Sequence, residues 1–328
     1  MASSPPLFKP LLLCTILAFL SSAGAEMHPP SNHSGPSHSK PIQPAKQKPP
    51  EAIHNHGGPL LKGNLTVELL LYGHFSPSQL AAITDFFKSF SPSPSQHPPS
   101  PPSVASWWAT IDNYLGGPAS LKLGLVRRDF YSRGKHLSDA MVRELVLSGR
   151  TNTNNSIVVV ITASDVRVND LCQGACGGHG AVKSSGPHGQ QLPYLWVGNA
   201  AKQCPGKCAW PFARPATWLV GDPPLVPPNG DVGVDGMLIH LATFLAATVT
   251  NPYGNGYYKG PATMPVEAVS ACAGIFASGA YPGYPGVLLL TEHAKRPKSF
   301  FNGRGVDGRE FLLPAFWDPQ TSRCVPPV

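Results

Sequence analysis

The chain has 328 residues, of which 42% are hydrophobic and only 13% charged, with 38 prolines and 33 glycines. That is enough apolar material for a packed core, and the proline and glycine content assigns much of the chain to loops. The formal net charge is +7, with basic residues scattered rather than clustered. This argues against a nucleic-acid-reading surface and favours extracellular polyanions such as acidic polysaccharide.

Residues 1–25 have the parts of a removable secretory signal: Lys9, an apolar run from Leu11 to Leu20, and the small residues Ala23-Gly24-Ala25, with cleavage expected after Ala25. The apolar run is shorter than the roughly 20 residues needed to span a bilayer. No later stretch is read as a membrane span. Residues 26–54 are Pro, Ser, His and Lys with almost no large apolar side chains, which predicts a disordered tail. His28, His33, His38, His54 and His56 lie in or just beyond it and read as linker histidines rather than as a metal grip. The folded domain is expected over 55–328, with order beginning near Pro59.

Val67, Leu69 and Leu71 alternate with Thr66, Glu68 and Leu70 as in a strand. Ser76-Pro77 then offers a cap and a first helical proline, and Leu80, Ile83, Phe86, Phe87 and Phe90 recur at helical spacing. A Pro/Ser loop over 91–102 leads to a second helix through Val104, Trp107, Trp108, Ile111 and Leu115, ending at Gly116-Gly117. The paired tryptophans are expected to pack in the core rather than stack sugars. Leu121 to Val126 reads as a strand, Ser138 to Leu147 as a helix, and the β-branched run Ile157 to Thr162 as a fully buried strand. Short strands follow at Tyr194 to Val197 and Thr217 to Val220, then one long apolar helix over about 235–249. This alternation predicts a single layered α/β domain with a disulfide-rich, loop-rich second half.

Cleavage would remove Cys14 and leave Cys172, Cys176, Cys204, Cys208, Cys272 and Cys324. An even number in an exported chain predicts disulfides, with roughly 15 pairings open. Zinc held by the two CxxxC pairs with His179 and His188 is the weaker reading, because structural zinc prefers tighter spacing. Glycosylation sequons begin at Asn32, Asn64 and Asn154.

Longer strings carry a resemblance: Gly63-Asn64-Leu65-Thr66-Val67 leading to Tyr72-Gly73-His74-Phe75-Ser76-Pro77, and Ser103-Val104-Ala105-Ser106-Trp107-Trp108. Further along stand the runs Asp170 to Gly180, Gly198 to Phe212, and Thr250 to Tyr258. Together, over about 55–328, these resemble the plant EXORDIUM and EXORDIUM-like proteins, the phosphate-induced protein 1 family. The resemblance implies a secreted protein of the apoplast or cell wall, connected with brassinosteroid-responsive growth, cell expansion and carbon status. It implies no reaction, catalytic residue or cofactor.

The helix at 235–249 looks like a metallopeptidase helix, a distantly zincin-like feature. The ligand and base positions would fall on Thr243, Phe244 and Ala247, which can neither bind zinc nor act as base. His240 lies one turn early and is followed by Leu241. Asn229 to Gly236 has spaced oxygen ligands like a calcium loop but lacks the far acidic residue, and Asp235 as a helix cap explains it without metal. Asp165, Asp170, Glu267, Glu292, Asp307 and Glu310 are the carboxylates from which a glycosidase pair would have to come. No GxSxG elbow or phosphate-cradling GxxxxGK[ST] loop occurs. The expected activity is therefore non-enzymatic binding of an acidic wall polysaccharide or a surface protein, with Tyr253 to Tyr258 and Tyr281 to Tyr284 as candidate contact loops, ordinary packing of these tyrosines being the equal alternative. An extracellular hydrolase of wall glycans or peptides is the rival.

Overall fold

The computed structural model describes residues 52–92, 99–149, 155–184, 189–215, 223–291 and 298–328. The signal, most of the tail, Asn32, Asn154, His188, Glu292 and the strand expected at Thr217 to Val220 lie outside them.

Strand β1, Gly63–Tyr72, is buried along Val67–Tyr72 on both faces, as a central parallel strand must be. Even Glu68 is 5% exposed, because its carboxylate accepts from Leu125 N at 2.9 Å where the neighbouring strand bulges. Helix α1, Pro77–Lys88, starts at a capping box in which Ser76 and Gln79 satisfy each other's backbone N–H groups. Its Ile83, Phe86 and Phe87 are buried.

The helical stretch after Ser103 departs from the expected single helix. Val104–Trp108 and Asp112–Leu115 are α-helical, but Ala109–Ile111 tightens to a 3-10 turn, and Gly116 (φ 63°) ends the run. Trp107 Nε1 donates to Pro314 O at 2.7 Å and Trp108 Nε1 to Ala119 O at 2.6 Å. Both indoles are buried, so this pair packs.

The remaining elements are β2 (Ala119–Asp129), α2 (Asp139–Ser148, capped by Ser138), β3 (Ser156–Thr162), β4 (Gly177–Lys183), β5 (Gln191–Gly198) and α3 (Val232–Thr250). One five-stranded sheet runs in the order β2-β1-β3-β5-β4. All neighbours are parallel except β4 against β5. The strand order therefore reverses between β1 and β3, the kind of point where open α/β sheets leave a crevice at the carboxyl ends of their strands.

Helix α3 packs against β4 and β5 and begins earlier than expected. Asp231, not Asp235, is its cap, accepting from Gly233 N at 2.9 Å and Val234 N at 3.0 Å. Contrary to the sequence reading, this helix is long and apolar enough to cross a bilayer, but 78% of the qualifying window is buried inside the fold. A helix apolar all round fits such a core position.

Three disulfides join Cys172–Cys204, Cys176–Cys208 and Cys272–Cys324. The first two fasten the segment before β4 to the turn after β5, and the third anchors the C-terminal strand. Order begins ahead of Pro59: His54 and Asn55 pair antiparallel with Tyr258 and Tyr257.

Candidate functional site

The carboxyl ends of β1, β2 and β3 meet at one edge. Gly73, after β1, has φ +101°, and a Cβ there would lie 2.7 Å from Ala163 Cβ, so only glycine lets the two chain ends approach this closely. The loop leaving β2 is pinned from below: Tyr72 Oη donates to Gly134 O at 2.7 Å and accepts from Arg133 N at 2.8 Å. Asp129 accepts from Ser132 N at 2.8 Å and Ser132 Oγ at 2.6 Å. From the other side, Asp165 after β3 accepts from Tyr131 Oη at 3.0 Å and pairs with Lys135 Nζ at 2.7 Å. The hydrogen bond from Lys135 holds the Asp165 carboxyl below its usual range. His136 is in register with Arg167.

The end of β2 and the segments that follow β1, β2 and β3 carry Arg127, Arg128, Arg133, Lys135 and Arg167 together with His74 and His136. Arg133 pairs with Glu144 at 2.9 Å, both half-exposed, and Arg127 Nη1 donates to Ser148 O. Arg128 and the Arg167 side chain have no hydrogen-bond or ion-pair partner among the described residues, and both are exposed. Phe130, 58% exposed, lies 5.0 Å from the His74 ring. Arg127 and Arg128, successive in β2, point to opposite faces of the sheet, and Lys135 and Arg133 are held in ion pairs, so the exposed cations free to meet a ligand here are Arg128 and Arg167. Guanidinium forks bind carboxylates bidentately and rings offer apolar faces to sugars, so the arrangement suits an anionic, ring-bearing polymer.

A second concavity, of about 920 Å³, is lined by Trp210, Arg214, Tyr281, Tyr284, Val287 and Phe300 among others. Tyr281 and Tyr284 flank a Pro282-Gly283 turn closed by Tyr284 N donating to Tyr281 O at 2.8 Å. Gly283 takes φ 93°, as the third position of a type II turn requires. The rings stand 5.1 Å apart. Of the two expected contact loops, this one lines the larger cavity, while Tyr253 of the other lines one of about 70 Å³. In the other, Tyr257 packs edge-on against Tyr114, and Tyr258 stacks on His56 at 3.8 Å.

At the metallopeptidase-like positions, Thr243 Oγ1 donates back to Ile239 O, Ala247 is buried, and Phe244 packs near His179. No zincin-like site is built there. His240 Nε2 donates to Cys208 O at 3.0 Å, and burial pushes its pKa down to about 4.

Sequence reasoning missed one pair. His179 Nε2 donates to Glu267 at 3.0 Å, Asn251 Nδ2 also donates to Glu267, at 2.7 Å, and His179 Nδ1 is buried without a partner. Nothing in the spacing of His179 and Glu267 along the chain joins them.

The calcium-like loop is a hydrogen-bonded network instead. Asp231 caps α3 and accepts from Gln79 Nε2, while buried Asp235 accepts from Asn229 N and Nδ2. Burial pushes Asp235 up to about 7. Among the carboxylates, Asp170 is exposed. Asp307 and Glu310 line one cavity of about 110 Å³ with Asn229, Thr291 and Arg309, well under the roughly 300–1,000 Å³ of ordinary ligand sites. Glu310 there accepts from Thr291 Oγ1 at 2.6 Å.

The profile described as "Phosphate-induced protein 1 conserved region" matches residues 53–327. Protein EXORDIUM-like 2 of Arabidopsis thaliana is 49% identical over 281 residues, 85% of this chain and 90% of the relative. Protein EXORDIUM of the same plant is 45% identical over 292 residues, covering 85% and 91%. Protein PHOSPHATE-INDUCED 1 of Nicotiana tabacum is 46% identical over 283 residues, covering 84% and 88%. None of these names states a reaction, and no solved structure matches the chain. With the match running through the sheet, the basic edge and all three disulfides, the chain belongs to the phosphate-induced protein 1 family, alongside EXORDIUM and its EXORDIUM-like relatives.

Proposed function

We propose that this protein is a secreted, non-enzymatic component of the plant apoplast that binds an acidic wall polysaccharide through the basic edge at Arg127–His136 and Arg167. The observation that carries the reading is that Arg128 and Arg167 are exposed with no hydrogen-bond or ion-pair partner among the described residues, and that Phe130, two residues after Arg128, is 58% exposed. The reading also draws on the signal-like residues 1–25, and the three disulfides are consistent with export. The implied setting is brassinosteroid-responsive growth and cell expansion, with no membrane span in the mature chain and no nucleic acid as partner. Asn64, exposed at the start of β1, is the described sequon available for glycan.

The test is retention of the purified protein on immobilised polygalacturonate against a neutral glucan. Retention on the acidic polymer should weaken as salt rises, because exposed charges are screened within about 10 Å at 0.1 M. An Arg128→Gln/Arg133→Gln/Arg167→Gln variant should bind about tenfold or more weakly, at up to about 1 kcal/mol per exposed pair. Equal retention on both polymers, or an unchanged variant, overturns the reading. Turnover of either polymer would favour a hydrolase instead.

A further inference from the structure

Cys172–Cys204 and Cys176–Cys208 span the same separation of 32 residues, so the bridges lie side by side, with Cys204 Sγ only 3.7 Å from Cys208 Sγ. His240, on the neighbouring face of α3, meets one of these bridges: its ring nitrogen and the Cys176 and Cys208 sulfurs all lie within 4.8 Å of one another. Two sulfurs on one tetrahedral zinc, each about 2.3 Å from the metal, stand about 3.8 Å apart. Cys204 and Cys208 already have that spacing.

We propose that Cys176, Cys204, Cys208 and His240 form a redox-gated site for one soft divalent cation of the zinc class, closed by the disulfides when oxidised and opened by thiol reduction. The set of three thiolates and one imidazole is a closed, tetrahedral donor set of the structural-zinc kind. His240 is oriented by its Nε2–H donating to the Cys208 carbonyl, the outer-shell contact typical of ligand histidines.

The reductant is an external thiol. A thiolate attacks the sulfur of Cys176, a half-buried residue, whereas Cys208 is buried. The S–S bond breaks, Cys208 leaves as thiolate, and a mixed disulfide forms on Cys176. A second thiolate attacks the external sulfur of that mixed disulfide, releasing Cys176 thiolate and the reductant's own disulfide. The same two steps free Cys204 from Cys172. Each protein disulfide thus gains two electrons from two thiols, and metal binding displaces the protons of whichever cysteines are then protonated. Lys207, between Cys204 and Cys208 and donating to Cys172 O at 3.1 Å, supplies a positive charge that favours thiolate.

The experiment uses the full purified protein with Co²⁺ as the probe, before and after reduction by a metal-inert phosphine. Reduced protein should take up one cobalt per chain, with tetrahedral d–d absorption and a thiolate-to-cobalt charge-transfer band. Oxidised protein should take up none. Cys172→Ser and Cys204→Ser break the same disulfide, so they share its stability cost. In the reduced state, Cys172→Ser should bind as wild type, while Cys204→Ser should lose about a third of the charge-transfer intensity, one thiolate of three. His240→Gln should weaken binding by at least the roughly tenfold that losing even an outer-shell partner costs. Octahedral cobalt, equal spectra for the two serine variants, or unaltered affinity in His240→Gln each overturn the proposal. If reduction unfolds the chain, cobalt should restore the native circular dichroism, and failure to do so overturns it equally.

Discussion

Asp235 and His240 sit on one helix and are shifted in opposite directions, each by its own burial. Asp235 is raised from 3.8 to about 7, mainly by burial, with Asp231 adding repulsion and Asn229 opposing it. An acid raised on folding contributes stability that is full below 3.8 and is lost as pH climbs through about 7. His240 is lowered from 6.5 to about 4 by burial, against the Cys208 carbonyl. A histidine lowered on folding contributes stability that is full above 6.5 and is lost as pH falls through about 4. Between about pH 4.5 and 6.5 each acts over about two pH units at about 1.4 kcal/mol per unit, or about 2 to 3 kcal/mol, with opposite sign. These two contributions should therefore nearly cancel in the wild type.

Removing either group leaves the pH dependence of the other unopposed. Relative to wild type, the unfolding free energy of Asp235→Asn should rise by about 2 to 3 kcal/mol from about pH 4.5 to 6.5, and that of His240→Gln should fall by a similar amount. Urea denaturation of the oxidised protein, followed by tryptophan fluorescence, measures both. The difference from wild type removes the surface carboxylates common to all three proteins. Parallel pH profiles for the three proteins would refute the reasoning, as would two variants sloping the same way.

Breaking the third bridge with Cys272→Ser/Cys324→Ser frees a loop of 52 residues, for which chain entropy predicts a loss of about 4 kcal/mol, read from the urea midpoint. His179→Ala leaves Glu267 buried with Asn251 as a remaining partner, and should cost about 3 kcal/mol in the same assay. A loss under about 0.5 kcal/mol, the range of ordinary surface substitutions, would show that water replaces the imidazole.

The elements with strong local signals were legible in the sequence. Ile157 to Thr162 could only be a doubly buried strand, and Ser76-Pro77 with the phenylalanine spacing could only start α1, because those signals are short-range steric and hydrogen-bonding preferences. The start of α3 was read wrongly because Asp231 and Asp235 offer the same side chain after the same glycine-rich turn. Which one caps depends on where Asn229 and Gln79 are held. Likewise, no local preference distinguishes a continuous helix at 104–115 from one tightened in the middle to seat two indoles.

The sequence by itself determined the α/β alternation, the even set of six cysteines after the signal-like segment, and the family strings. Tertiary structure alone decided which cysteines pair, that His179 meets Glu267, and that Arg167 lies in register with His136. These are contacts between residues far apart in the chain. Their partners are chosen by the sheet's strand order and the packing of α3, and no local pattern of residues encodes a distance across that fold.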